Sequence, residues 1–168
     1  MKTFRYPLIL STALLAIAGA AHAQPSAAPP TAGGARCAPI DEQQVAALFD
    51  RWNASLRTLD PAKVAANYTP DAVLLATVAN APRTTPAEIK EYFAKFLPAE
   101  PQGTIKSRTI RIGCNTARDM GTYDFRFKDG HIVKARYTYD YELRDGKWLI
   151  AHHHSSVMPE TVVVPEKK

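Results

Sequence analysis

The chain reads as an α+β protein with its helices on one face of a single antiparallel sheet, and three observations carry that expectation. Apolar residues recur at three- and four-residue steps in the first half, long strand-like runs fill the second half, and Asp-Gly pairs punctuate those runs at Asp129-Gly130 and Asp145-Gly146. Asp-Gly favours tight hairpin turns because Gly takes a positive φ without steric cost.

Val45, Leu48, Phe49, Trp52, Leu56 and Leu59 predict an amphipathic helix from Asp41 to Leu59. Asp41 caps it, Gln44 stands in the reciprocal position, and Ile40 is placed to pack on Val45. Asp60-Pro61 stops this helix and opens a short second one through Tyr68. Thr69-Pro70-Asp71 breaks it, and Ala72 to Val78 reads as a strand. Thr85-Pro86-Ala87-Glu88 is a second capping box, opening a third helix through Leu97 whose apolar face carries Ile89, Phe93, Phe96 and Leu97. Strand-like runs follow at Thr104 to Asn115, Met120 to Lys128 and His131 to Leu143, and Asp145-Gly146 folds a final strand back on Val133 to Leu143. No internal repeat is visible.

Residues 1–23 read as a secretory signal peptide: Lys2 and Arg5, an apolar run from Leu8 to Ala21, then Ala21-His22-Ala23. Residues 24–38 form an Ala/Pro/Gly-rich leader with little to bury, 39–160 one globular domain, and 161–168 a tail. The expected location is periplasmic or secreted, with no membrane contact after cleavage. Losing Lys2 and Arg5 lowers the formal charge from +5 to +3, too little and too interspersed for nucleic-acid binding. Cys37 and Cys114 make an even count, which in an exported protein suggests a disulfide closing a long loop; the alternative is two free thiols.

Along the penultimate strand Ala135, Tyr137, Tyr139, Tyr141 and Leu143 share one face and Lys134, Arg136, Thr138, Asp140 and Glu142 the other, so the tyrosines face the helices. They either fill the core or line a cavity. On the last strand the alternation leaves two parities. Hydrophobic bulk would turn Trp148 and Ile150 inward and carry His152 and His154 with them.

Arg144-Asp145-Gly146-Lys147-Trp148, the histidine run His152 to His154 and Ser155-Ser156 together resemble the end of the calcium/calmodulin-dependent protein kinase II association domain and its bacterial SgcJ/EcaC relatives, within the nuclear transport factor 2-like (SnoaL-like) superfamily. The likeness extends over Asp41 to Glu160. It implies a cone-shaped antiparallel sheet wrapped around three N-terminal helices, a cystatin-like α+β roll, assembled as a homodimer or higher homo-oligomer. It also implies a pocket at the open end of the cone. In the kinase domain the positions matching Tyr139 and Ser155 are pocket-lining arginines; here the cavity would be more aromatic and less cationic. This alignment puts His153 with Ser155 inside and gives Trp148 and Ile150 to the outer face, where a partner copy would cover them.

The expected ligand-binding residues are Trp52, Arg111, Tyr123, Tyr137, Tyr139, His153 and Ser155, holding a small organic molecule. As catalyst, His153 with Tyr139 (or Tyr123 or Asp71 as the partner) could move a proton without a cofactor, as in lyases and isomerases of the superfamily. His152 and His154, two apart, offer a weak metal alternative, lacking a third ligand nearby in sequence. No phosphate loop, Gly-x-Ser-x-Gly elbow, His-Glu-x-x-His or dinucleotide fingerprint occurs, so no cofactor is expected.

Overall fold

The computed structural model describes residues 36–159. The signal peptide, all but the end of the leader, Glu160 and the tail 161–168 lie outside the described residues. In chain order the elements are α1 (Glu42–Leu56), α2 (Pro61–Ala65), β1 (Tyr68–Leu75), α3 (Pro86–Phe96), a 3₁₀ turn (Leu97–Ala99), β2 (Gln102–Gly113), β3 (Thr116–Arg126), β4 (Ile132–Arg144) and β5 (Lys147–Val157). Both predicted capping boxes are present: Asp41 accepts from Gln44 N–H while the Gln44 side chain takes Asp41 N–H, and Thr85 and Glu88 do the same for α3.

The sheet order is β1-β5-β4-β3-β2. The four long strands are antiparallel neighbours, as the turns predict, while β1 lies parallel to β5 at the edge. β1 starts at Tyr68, four residues before the expected strand, because α2 ends early. Asn67 caps the end of that helix: its side-chain amide donates to the carbonyls of Lys63 (3.0 Å) and Val64 (3.1 Å), the latter also accepting from Asn67 N–H. Its own carbonyl accepts from Ile150 N–H at 2.8 Å and so pins the start of β1 to β5. Pro70 is tolerated because β1 is an edge strand with a register shift between Tyr68 and Val73.

The core lies between the inner face of the sheet and the helices. Val45, Phe49, Trp52 and Leu56 of α1 and Ile89 and Phe93 of α3 are buried against Tyr137, Tyr139 and Tyr141 of β4 and Tyr123 and Phe125 of β3. The tyrosines therefore face inward, as the alternation predicts. The outer face is polar, and Arg118 of β3 forks across to Asp140 of β4, Nε at 2.5 Å and Nη2 at 3.1 Å from its two oxygens.

Bulges decide which residues reach the interior. On β2 the register shifts between Ile105 and Ser107, leaving Lys106 unpaired and turning Arg108 inward opposite Gly121. Only glycine fits there, since a Cβ on Gly121 would stand 2.0 Å from the Ser107 carbonyl oxygen. Gly121→Ala should therefore cost about 2–3 kcal/mol in urea unfolding; a loss under about 0.5 kcal/mol would show that the strand crossing is looser than this packing requires.

On β5 the bulge is at Ala151: Tyr141 pairs with Ile150 and Asp140 with His152, so Ala151 has no partner. This resolves the two parities. Ile150 faces inward at 1% exposure, and so, beyond the bulge, do His153 and Ser155. The expectation that Ile150 belongs to the outer face is thereby corrected. Trp148, given to the same face, is half-buried and packs against the core. An uninterrupted period of two cannot place both Ile150 and His153 inside; the extra residue between them does.

Cys37 and Cys114 form a disulfide with Cα atoms 4.8 Å apart. It joins the segment before α1 to the β2–β3 turn, so Cys114 sits at a hairpin rather than within a strand. Ala38 N–H adds a 2.8 Å bond to the Asn115 side chain beside it.

Candidate functional site around His153

At the end of the core nearest the β1–α3 connection, Trp52, Leu74, Ala76, Tyr92, Phe93, Phe96, Tyr123, Phe125, Phe127, Ala135, His153 and Ser155 enclose a cavity of about 60 Å³, with exposed Val78 at its rim. α1 supplies Trp52, α3 the aromatic side, and β3, β4 and β5 the floor. The wall is almost wholly apolar. Its polar groups include His153 and a hydroxyl cluster in which Tyr123 Oη donates to Ser155 Oγ at 2.6 Å and Thr77 Oγ1 hydrogen-bonds the same Ser155 oxygen.

His153 is held on several sides. Tyr139 stacks on its ring (centroids 4.1 Å apart, planes 25°), and Trp52 meets it edge-on at 5.3 Å. Its Nδ1 lies 2.9 Å from Tyr68 Oη, and Trp52 Nε1–H donates to that same phenolic oxygen at 3.0 Å. The other ring nitrogen, Nε2, is buried without a protein partner. Burial, and then the neighbouring His152 and His154, push the His153 pKa down to about 3, so the ring is neutral at physiological pH. Burial likewise pushes the Tyr68, Tyr123 and Tyr139 phenols up, and all three stay protonated.

Of the seven residues expected to bind ligand, Trp52, Tyr123, His153 and Ser155 stand at the cavity wall. Tyr139 backs the His153 ring, and its hydroxyl makes no hydrogen bond to it. Tyr137 points elsewhere, donating at 2.9 Å to Asp119. Arg111 is exposed and lines a separate surface hollow with Arg118, Asp140 and Glu142. Asp71 is also on the surface, 3.4 Å from Arg144, so it is no partner for His153. His152 and His154 are only half-buried, and among the described residues no cluster of His, Cys, Asp or Glu is arranged to hold a metal.

Two features escaped the sequence. Tyr68, the hydrogen-bond partner of His153, read as the last residue of a helix. Asp119 is fully buried, with Arg108 Nε 3.1 and 3.0 Å from its two oxygens and Tyr137 beside it. Burial raises its pKa while the Arg108 guanidinium works against that rise. A lone Asp within Ala117-Arg118-Asp119-Met120 carries no signal of this, because the bulge that brings Arg108 to it is on another strand.

A protein from Xanthomonas campestris, provisionally assigned as a calcium/calmodulin dependent protein kinase II association domain, is 48% identical, with 74% of this chain and 96% of that one covered at a TM-score of 0.69. A nuclear transport factor 2-like protein of unknown function from Pseudomonas putida shares the fold at 17% identity (76% and 95% covered, TM-score 0.63). So does a protein from Streptomyces avermitilis provisionally assigned as a dehydratase of that same fold family, at 14% identity (69% and 94% covered, TM-score 0.61). No curated protein matches. The decisive match is the family model of the calcium/calmodulin dependent protein kinase II association domain over residues 41–159, and the chain belongs to that family.

Proposed function

We propose that this chain is an exported, homo-oligomeric association-domain protein that binds a small organic ligand in the His153 cavity. The observation that carries the reading is His153 Nε2: a buried polar atom without a protein partner, on a residue that lines an otherwise apolar cavity. Buried polar groups are almost always paired, and a concave apolar wall with few polar atoms is how small ligands are held. The Cys37–Cys114 disulfide supports an oxidising compartment. The association-domain family supports self-assembly. The match covers an association domain and not a kinase catalytic domain, so these residues are assigned no phosphoryl transfer. A neutral His153 with a strongly depressed pKa is a weak base, which favours binding over the lyase or isomerase reading.

The test is native mass spectrometry and solvent extraction of protein from Gln24 onward, beside Ala76→Leu, which adds bulk at the cavity wall. A stoichiometric organic molecule in the unaltered protein, with affinity reduced about tenfold or more in the variant, is the expected result. Unchanged affinity in a folded Ala76→Leu would place the ligand elsewhere.

A further inference from the structure

We infer that the ligand of the His153 cavity is a neutral carbonyl compound, a ketone, ester or lactone with a slim carbonyl end, whose oxygen accepts a hydrogen bond from His153 Nε2–H. The inference deepens the ligand-binding reading and rests on it.

Counting protons at Tyr68 gives the donor. Trp52 Nε1 can only donate, and it donates to Tyr68 Oη. A neutral imidazole carries one N–H. Were that hydrogen on Nδ1, it too would point at the Tyr68 oxygen. The phenolic hydrogen would then find no acceptor, and Nε2 would stay unpaired as well, leaving two buried groups unsatisfied. With the Tyr68 hydroxyl donating to Nδ1 at 2.9 Å, a single group is left, Nε2–H. An unsatisfied buried group is costly, so the arrangement that leaves one rather than two prevails. Trp52 and Tyr68 thereby set the tautomer of a ring they do not share a strand with, and the hydrogen left over is Nε2–H on a residue of the cavity wall.

The rest of the wall narrows the class. An alkane or alkene would leave Nε2–H unpaired. An alcohol would bring a hydroxyl hydrogen of its own, and Ser155 Oγ at the wall is already engaged by Tyr123 and Thr77. A carboxylate would need a cation, and no Lys or Arg lines the cavity. A carbonyl oxygen accepts and donates nothing. Size sets the last limit. At about 60 Å³ the space is less than half of the ~150 Å³ cavity that admits benzene, so a narrow end enters and the remainder leaves past Val78, Phe96 and Phe127.

Three probes of one shape separate these cases: 2-heptanone, 2-methylhept-1-ene, in which CH₂ replaces the carbonyl oxygen, and heptanoate. Their affinities are measured by titration of ¹⁵N-histidine-labelled protein, with long-range ¹H–¹⁵N spectra reporting the His153 tautomer. The expected result is the Nε2–H form in the free protein and a ketone bound about tenfold more tightly than either analogue. Tyr68→Phe should erase that preference by freeing the tautomer. An Nδ1–H ring, or heptanoate bound as tightly as the ketone, overturns the inference and leaves the ligand-binding reading standing. So does an extracted native ligand without a carbonyl group. If no probe binds and extraction recovers no organic molecule, both fall together.

Discussion

Removing the Cys37–Cys114 bridge, by Ser at both positions or by reductant, should lower stability by about 4–5 kcal/mol. The bridge closes a sequence separation of 77, and the chain-entropy cost that it spares the folded protein grows with the logarithm of that length. Without it the segment before α1 keeps only minor ties to the β2–β3 turn, such as the Ala38 to Asn115 hydrogen bond. Urea unfolding with and without reductant measures the effect as a drop in midpoint. A loss under about 1 kcal/mol would sink the entropic account. The cavity should not notice while the protein stays folded. Along β3, Phe125 at the cavity and Thr116 beside the disulfide turn are nine residues apart, about 30 Å of strand, so ligand affinity in the folded reduced protein should stay within about twofold.

How much of this was legible in the sequence depends on whether a residue's placement is local or set by a neighbour. The capping boxes at Asp41 and Thr85, the Asp-Gly turns and the inward tyrosines were all readable, because each rests on a period or on a turn within a few residues. The α2–β1 corner was not. Pro61 starts a helix that hydrophobic pattern extends to Tyr68, and what ends it is Asn67 making bonds to three elements at once, to α2, to Ser55 at the end of α1 and to β5. Since Tyr68 is the partner of His153, the misplaced corner also hid that hydrogen bond. The bulge at Ala151 was invisible for a related reason. Nothing in Leu149-Ile150-Ala151-His152 marks an extra residue, yet it sends Ile150 to Tyr141 and His153 to Tyr139 and lets apolar bulk and imidazole share one face. The resemblance to the association domain supplied the orientation of His153 that pattern alone left open. It did not supply Ile150.

Acidification should weaken the fold through His153, starting near pH 6.5 and continuing toward pH 3. The sign follows from where the proton prefers to go. The folded ring is held to a pKa of about 3, against 6.5 for an ordinary histidine, so between those values the unfolded chain takes up a proton that the folded one refuses. Stability is complete above about 6.5, falls by about 1.4 kcal/mol per pH unit below it, and levels off beneath 3 after a loss of about 4–5 kcal/mol. Below about pH 5 the lowered carboxylates Asp71, Glu88, Glu91 and Asp129 lose stability in the same direction. Asp119, whose pKa is raised by burial, acts in the opposite one. Between pH 5 and 6.5 His153 should contribute a loss of about 2 kcal/mol. Urea unfolding across that window in the wild type and in His153→Gln isolates it: the variant should lose that slope, and equal slopes would mean that the ring is already charged or solvated in the folded state. Ligand binding then gives an independent reading of the same proton. A neutral carbonyl needs only Nε2–H, which the ring offers whether or not Nδ1 is protonated, so its affinity should be flat from pH 5 to 8. A carboxylate would instead draw a proton onto His153 and bind more tightly with each step toward acid.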